Sequence, residues 1–276
     1  MYGILADMSD LYTSLLKLNH IENAFEAWTD YRHALTSFIL SHVEGSRSCL
    51  IVGAGACNDI DLVRLSAKIQ SVALLDTDEP AMEQGIKRYG LDNIAVRVSD
   101  ILGIPESAYR ALDNLMLSGI RNELPGAVLT NIYLKEMDAM LQNAKPDPLP
   151  DADTIICCGV HSQLLAMFAR MAAVYARYAN IDTQRIYKCI SRYNAKLQPV
   201  FNTCLLQSAG KALILGLEAE RIDMPGGIEG AAQALADIDS RRLKTTRTKL
   251  LWPFDATQNK TYAMNIVAVD TGAAPC

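Results

Sequence analysis

The chain has 276 residues, 50% of them apolar and 21% charged, with 26 basic against 31 acidic side chains and a formal charge of −5. That balance excludes extended disorder and leaves enough chain for one large globular domain, with or without a subdomain. Lysine and arginine are scattered rather than striped, so nucleic acid is not an expected partner, and no run reaches the roughly 18 apolar residues of a membrane span.

The opening segment MYGILADMSDLYTSLL carries Asp7 and Asp10 and lacks a basic stretch ahead of an apolar core, so it does not read as a secretory leader. From Ile4 to His42 apolar residues recur at helical spacing (Leu11, Leu15, Leu18, then Phe25, Trp28, Ala34, Phe38), interrupted by the polar NHIEN. Two helices are predicted, forming an N-terminal helical cap over residues 1–46. Tyr12, Trp28, Tyr31 and Phe38 on them are either core or an aromatic wall over a site beneath.

The short apolar strand SCLIV follows, then the turn Gly53-Ala54-Gly55, then a helix start at Asn58-Asp59. The alternation continues with the strand SVALLD, the helix EPAMEQGIKRYG with Asp78 as its N-cap, and the strand NIAVRVSD. Such βα units imply a parallel sheet with helices on both faces. Residues 101–151 read as an insertion carrying helices near Glu106 to Leu117 and Val128 to Leu141. DTIICCGV is the fourth strand, long helical stretches follow, and KALILGLEAERI is the fifth strand. After a helix in IEGAAQALADIDSRRL, the runs TRTKLLWPF and KTYAMNIVAVD lie too close together for a crossover and must pair as an antiparallel hairpin. The basic run Arg241 to Arg247 reads as a helix end and strand start.

Gly53 and Gly55, after a buried strand and before a helix, allow a sharp turn and the close approach of a ligand to the main chain. Asp76 ends the second strand, where a carboxylate either accepts hydrogen bonds from ribose hydroxyls or is a solvated strand-end residue or an N-cap for the next helix. Asp100 ends the third strand on the same edge, and it either bonds an adenine amino group or is a plain loop residue. Asn58 and Asp59 either reach a ligand's ammonium group or complement the helix dipole. Seven cysteines without a CxxC pair fit a reducing cytoplasm, and four histidines without HxxxH spacing offer no metal site. Cys157 and Cys158 sit in strand context, which favours packing over a nucleophilic thiol.

With these residues the chain resembles the class I S-adenosylmethionine-dependent methyltransferases across about residues 47 to 270. The resemblance rests on the turn Gly53-Ala54-Gly55, the acid Asp76, the acid Asp100 and the segment Cys157-Cys158-Gly159-Val160-His161 after strand four. It implies a doubly wound, mostly parallel seven-stranded α/β sheet ending in the antiparallel hairpin, a Rossmann-like domain over residues 47–276, and S-adenosylmethionine as cofactor. It also implies a cofactor-binding set of Gly53, Ala54, Gly55, Asn58, Asp59, Asp76, Thr77, Asp100, Ile101, Cys158 and Gly159. Members usually have an acid on strand one and often a third glycine, where this chain has Ile51-Val52 and Cys57. His161, just past strand four, is the candidate general base, with a helix cap as its alternative role; Ser162 and Gln163 can hydrogen-bond a substrate. A small-molecule acceptor is the expected partner, and pairing into a homodimer is left open. Three other activities stay in view: transfer of the cofactor's aminobutyryl group as in nicotianamine synthase-like proteins, an NAD-dependent oxidoreductase, and a non-catalytic cofactor-binding module.

Overall fold

The computed structural model describes residues 11–16 and 21–272; Ile4, Asp7, Asp10 and Leu18 of the readings above lie outside them. The central strand β1 (Ser48–Val52) is buried on both faces, as a strand covered by helices on either side must be. Cys49 and Ile51 point into one core and Leu50 and Val52 into another, the period-2 alternation of a strand dividing two helical layers. β1 pairs in parallel with β2 (Ser71–Asp76) on one side and with β4 (Ala152–Cys158) on the other. β3 (Ile94–Val98) extends the sheet beyond β2, and β5 (Ala209–Arg221) extends it beyond β4, both in parallel.

The last two strands are β7 (Thr245–Asp255) and β8 (Lys260–Asp270), joined by a tight turn whose Asp255 carboxylate accepts the N–H groups of Thr257 and Gln258. β8 inserts between β5 and β7 and runs antiparallel to both, so the sheet order is β3-β2-β1-β4-β5-β8-β7. This is the doubly wound sheet that the resemblance implied. One strand was not expected: β6 (Met224–Gly227) folds back on Glu220 and Arg221, making eight strands rather than seven. It pairs at only two positions.

Helices α1 (Leu11–Leu16), α2 (Ala24–Ala27) and α3 (Thr29–Leu40) precede the sheet. Leu35 and Ile39 of α3 are fully buried with Cys49, Ile51 and Ile266, so this segment completes one face of the sheet rather than resting on top of it. The helix after β1 begins later than expected. Cys57 takes a left-handed φ of 49° and prolongs the turn, and α4 (Leu62–Ser66) starts behind the N-cap Asp61, whose carboxylate accepts the Arg64 N–H. Helix α5 (Glu79–Tyr89) starts as read, with Asp78 accepting the Ala81 N–H and Pro80 in its first turn.

Residues 101–151 supply α6 (Glu106–Arg121) and α7 (Gly126–Gln142). With α1, α8 (Ala166–Tyr175) and the first half of α9 (Thr183–Ser208) they enclose a core of their own, around Tyr133, Phe168 and Tyr175. Later along α9, Phe201 and Leu205 join α10 (Ala231–Ser240) on the opposite face of the sheet. Three of the four basic side chains of the run from Arg241 to Arg247 are ion-paired: Arg241 with Asp237, Lys244 with Asp270 and Arg247 with Asp239.

Candidate functional site

In an open α/β sheet, ligands bind beyond the carboxyl ends of the strands where the winding reverses. Here that point lies between β1 and β4, and a cavity of about 810 Å³ opens there. Its volume is in the range of small-molecule and cofactor sites. All eleven residues of the implied cofactor set border it: Gly53, Ala54, Gly55, Asn58, Asp59, Asp76, Thr77, Asp100, Ile101, Cys158 and Gly159.

The floor is the glycine turn. Gly53 and Gly55 hold left-handed φ values of 72° and 46°, and a Cβ on Gly53 would lie 2.2 Å from Val160 Cγ2. The turn is pinned to β2 from two directions. The N–H groups of Gly53 and Ala54 donate to the Leu75 carbonyl at 2.8 and 3.2 Å, and Gly55 N–H donates to Asp76 Oδ2 at 2.9 Å. Asp76 Oδ1 accepts the Asp78 N–H at 3.0 Å. A third support escaped sequence reading: Gly85 of α5 lets the Ala56 carbonyl dock where a Cβ would approach it to 2.7 Å.

Arg32, nearly inaccessible, carries the N-terminal segment onto this turn. Its guanidinium lies 4.0 Å from the Phe25 ring centre and donates to the carbonyls of Phe25 (2.6 Å) and Asn58 (2.9 Å). Burial pushes the neighbouring Asp59 carboxyl up to about 6, against the pull of Arg32. At the β3 end, Asp100 Oδ1 accepts the N–H groups of Leu102 (2.8 Å) and Ile104 (3.1 Å) in a local turn, and burial again raises its carboxyl.

The other end of the cavity is built by β4, β5, β7 and β8. Cys158 ends β4; burial lifts its thiol well above the usual range and the nearby Asp59 and Glu218 charges add to this, so it is held as a thiol. Glu218 of β5 is a residue the sequence reading missed; its signal was a lone carboxylate inside the apolar run LILGLEA. Trp252, Phe254, Lys260 and Tyr262 line the same end, together with Trp28 from the N-terminal helices, while Tyr12 stacks on Tyr109 toward Asp100. Trp28 stacks on Phe254 and Tyr31 stacks behind Trp252, while Phe38 packs against His42 away from the cavity.

His161 is the correction. Its side chain does not border the cavity: it is fully buried, with Nε2 3.0 Å from Asn202 Oδ1 and its ring 5.1 Å from that of Phe201. Gly159, at φ 68°, redirects the chain after β4, and the His161 side chain ends up beside α9. Burial lowers its imidazole to about 4. A neutral histidine cut off from the ligand space fills a structural role. The two following residues do reach the site: Ser162 Oγ donates to Glu218 Oε1 at 2.7 Å, and Gln163 borders the cavity.

No protein-family model matches the chain, and no curated protein matches it in sequence. Solved structures are similar to it in the course of the chain. The N-methyltransferase NodS from Bradyrhizobium japonicum is 12% identical, with 90% of this chain and 97% of that one covered and a TM-score of 0.47. A SAM-dependent methyltransferase from Aquifex aeolicus is 12% identical over 92% and 97% of the two chains, at a TM-score of 0.46. The precorrin-6y C5,15-methyltransferase from Geobacter metallireducens is 10% identical over 86% and 88%, at 0.42. Among the described residues, no helix is long and apolar enough to cross a membrane.

Proposed function

We propose that the protein is an S-adenosylmethionine-dependent methyltransferase acting on a small-molecule acceptor. The observation that carries this reading is a single cavity at the β1/β4 switch point, with a glycine turn and two strand-end carboxylates on one side and the reversed strand β8 on the other. A dinucleotide oxidoreductase of the usual type continues its sheet with a further parallel strand instead.

The residues present fit the cofactor. A side chain at Gly55 would project into the open space over the turn, one at Gly53 would collide with Val160, and Asp76 offers charged acceptors to a pair of ribose hydroxyls. Asp100 and Ile101 border the place for an adenine ring. Asn58 and Asp59 stand at the turn, where a carboxylate complements an ammonium group. When bound, S-adenosylmethionine supplies a methyl group activated by a cationic sulfur. The chain's own contribution is to fix the two partners in line and to shield the reacting centre from water, which Trp28, Trp252 and Tyr262 do as walls.

Calorimetric titration with S-adenosylmethionine, S-adenosylhomocysteine and NAD tests the reading. Saturable binding of the first two is expected; binding of NAD with no response to either of them would overturn it.

A further inference from the structure

Beyond the end of β4, the cavity wall holds a carboxylate whose bonding is incomplete. Glu218 is 3% exposed and borders the cavity, and its Oε2 is buried with no hydrogen-bond partner among the described residues. Its Oε1 is the end of a chain of donors. Arg170 Nη2 donates to Gln163 Oε1 at 2.9 Å, Gln163 Nε2 donates to Ser162 Oγ at 3.1 Å, and Ser162 Oγ donates to Glu218 Oε1 at 2.7 Å. Every N–H and O–H in that chain points toward Glu218, so a guanidinium at one end holds the carboxylate at the other as an acceptor.

Nothing among the described residues neutralises it by direct contact. Lys260, whose charge acts on Glu218 without contact, sits over the rings of Phe254 (4.6 Å) and Tyr262 (5.3 Å) and makes no ion pair with it. Asp59 borders the same cavity, so the wall around Cys158 is negative from two sides. A buried carboxylate without a cation or a full set of donors is costly to maintain, and burial raises the Glu218 carboxyl accordingly; a group that brings both a positive charge and a donor relieves that cost. Trp28 and Trp252 beside it present aromatic walls suited to an organic cation.

We infer that Glu218 recognises a protonated amine on the methyl acceptor, and that the substrate class is amines. The inference rests on the cofactor reading above, because the glycine turn, Asp76 and Asp59 then occupy the cofactor and leave the β5–β8 end of the cavity to the acceptor. A neutral hydroxyl would leave the charge uncompensated, and a carboxylate or phosphate would be repelled.

The test is calorimetry on the full chain saturated with S-adenosylhomocysteine, using two matched sets of probes: benzylamine, benzyl alcohol and benzoate, then propylamine, propanol and propionate, all at neutral pH. In at least one set the amine should bind at least about tenfold more tightly than its neutral and anionic counterparts. Glu218→Gln should weaken that amine at least about tenfold and leave S-adenosylhomocysteine binding within about twofold, which also reports that the variant is folded. Ser162→Ala, which removes the donor to Oε1, should weaken the amine by a smaller factor. Amines that bind no better than alcohols in either set, or an amine affinity untouched by Glu218→Gln, would overturn the inference alone. A Glu218→Gln variant that is folded by circular dichroism but has lost S-adenosylhomocysteine would place Glu218 in the cofactor site and overturn it too. A wild-type protein that fails to bind S-adenosylhomocysteine would remove the cofactor reading, and this inference with it.

Discussion

Both oxygens of Asp76 already accept backbone N–H groups, from Gly55 and from Asp78, so the residue shapes the turn as well as facing the ligand space. Asp76→Ala is expected to weaken S-adenosylhomocysteine binding by about 1–3 kcal/mol, and Asp76→Asn, which keeps one acceptor oxygen, by less. Titration of the folded variants checks this, and an unchanged affinity in the alanine variant would remove the ribose assignment. His161 gives a prediction of a different kind. The fold holds it neutral down to about pH 4, whereas in the unfolded chain it takes up its proton near the ordinary value of 6.5. Between those values the unfolded state binds more protons, so the contribution of His161 is complete above the upper value and is lost as pH falls to the lower one. Asp59, with its carboxyl raised to about 6, acts in the opposite sense, so the quantity to measure is wild-type stability minus that of His161→Gln. That difference should move against the wild type by up to roughly 3 kcal/mol as the buffer is taken from neutrality to about pH 4. A flat difference in urea unfolding would mean that the imidazole is not held neutral by burial. Cofactor affinity should be the same in both proteins.

Among the elements, β1 and β4 were legible because a strand buried on both faces reads as an unbroken apolar run, and α5 because Asp78 and Pro80 mark its start chemically. Strand ends in a sheet of this order converge on one edge, which is why Gly53, Asp76, Asp100 and Cys158 border one cavity. What local sequence does not encode is the path of a loop. One left-handed residue at Cys57 displaced the start of α4, and one at Gly159 sent His161 into the core while bringing Ser162 to Glu218. Glu218 and Gly85 owe their roles to neighbours far away in sequence, which no periodicity reports. Gly85 belongs to the element scale because it sets how closely α5 packs against the glycine turn. Gly85→Ala would drive a methyl against the Ala56 carbonyl and should weaken S-adenosylhomocysteine binding at least about tenfold through displacement of the turn. Gly90→Ala, at the left-handed C-cap of the same helix with open space around it, is the control: it should cost about 1 kcal/mol of stability and leave affinity unchanged. Equal affinities in the two variants would show that the Gly85 contact does not position the site.

At the scale of the whole molecule, the helices before β1 belong to two cores: α1 closes the helical layer around Tyr133, and α3 closes one face of the sheet. Removing residues 1–46 would strip Leu35, Ile39 and Val43 from buried contact with β1 and β8 and delete the Arg32 tie to the turn. The truncated chain is therefore expected to lose its cooperative thermal transition by circular dichroism, whereas a separable cap would leave a folded, melting remainder. The sheet order carries its own consequence for how the chain is made. β8 follows every other strand of this sheet in chain order, yet it occupies a position inside the sheet, between β5 and β7. Until residues 260–270 emerge, β5 has one bare edge along its buried Leu213, Ile214 and Leu215 run, and β7 lacks a strand partner among the described residues. An interrupted chain that stops short of β8 thus offers neighbouring chains an open apolar template, and completion of the final strand is the event that turns a sticky nascent sheet into a closed one.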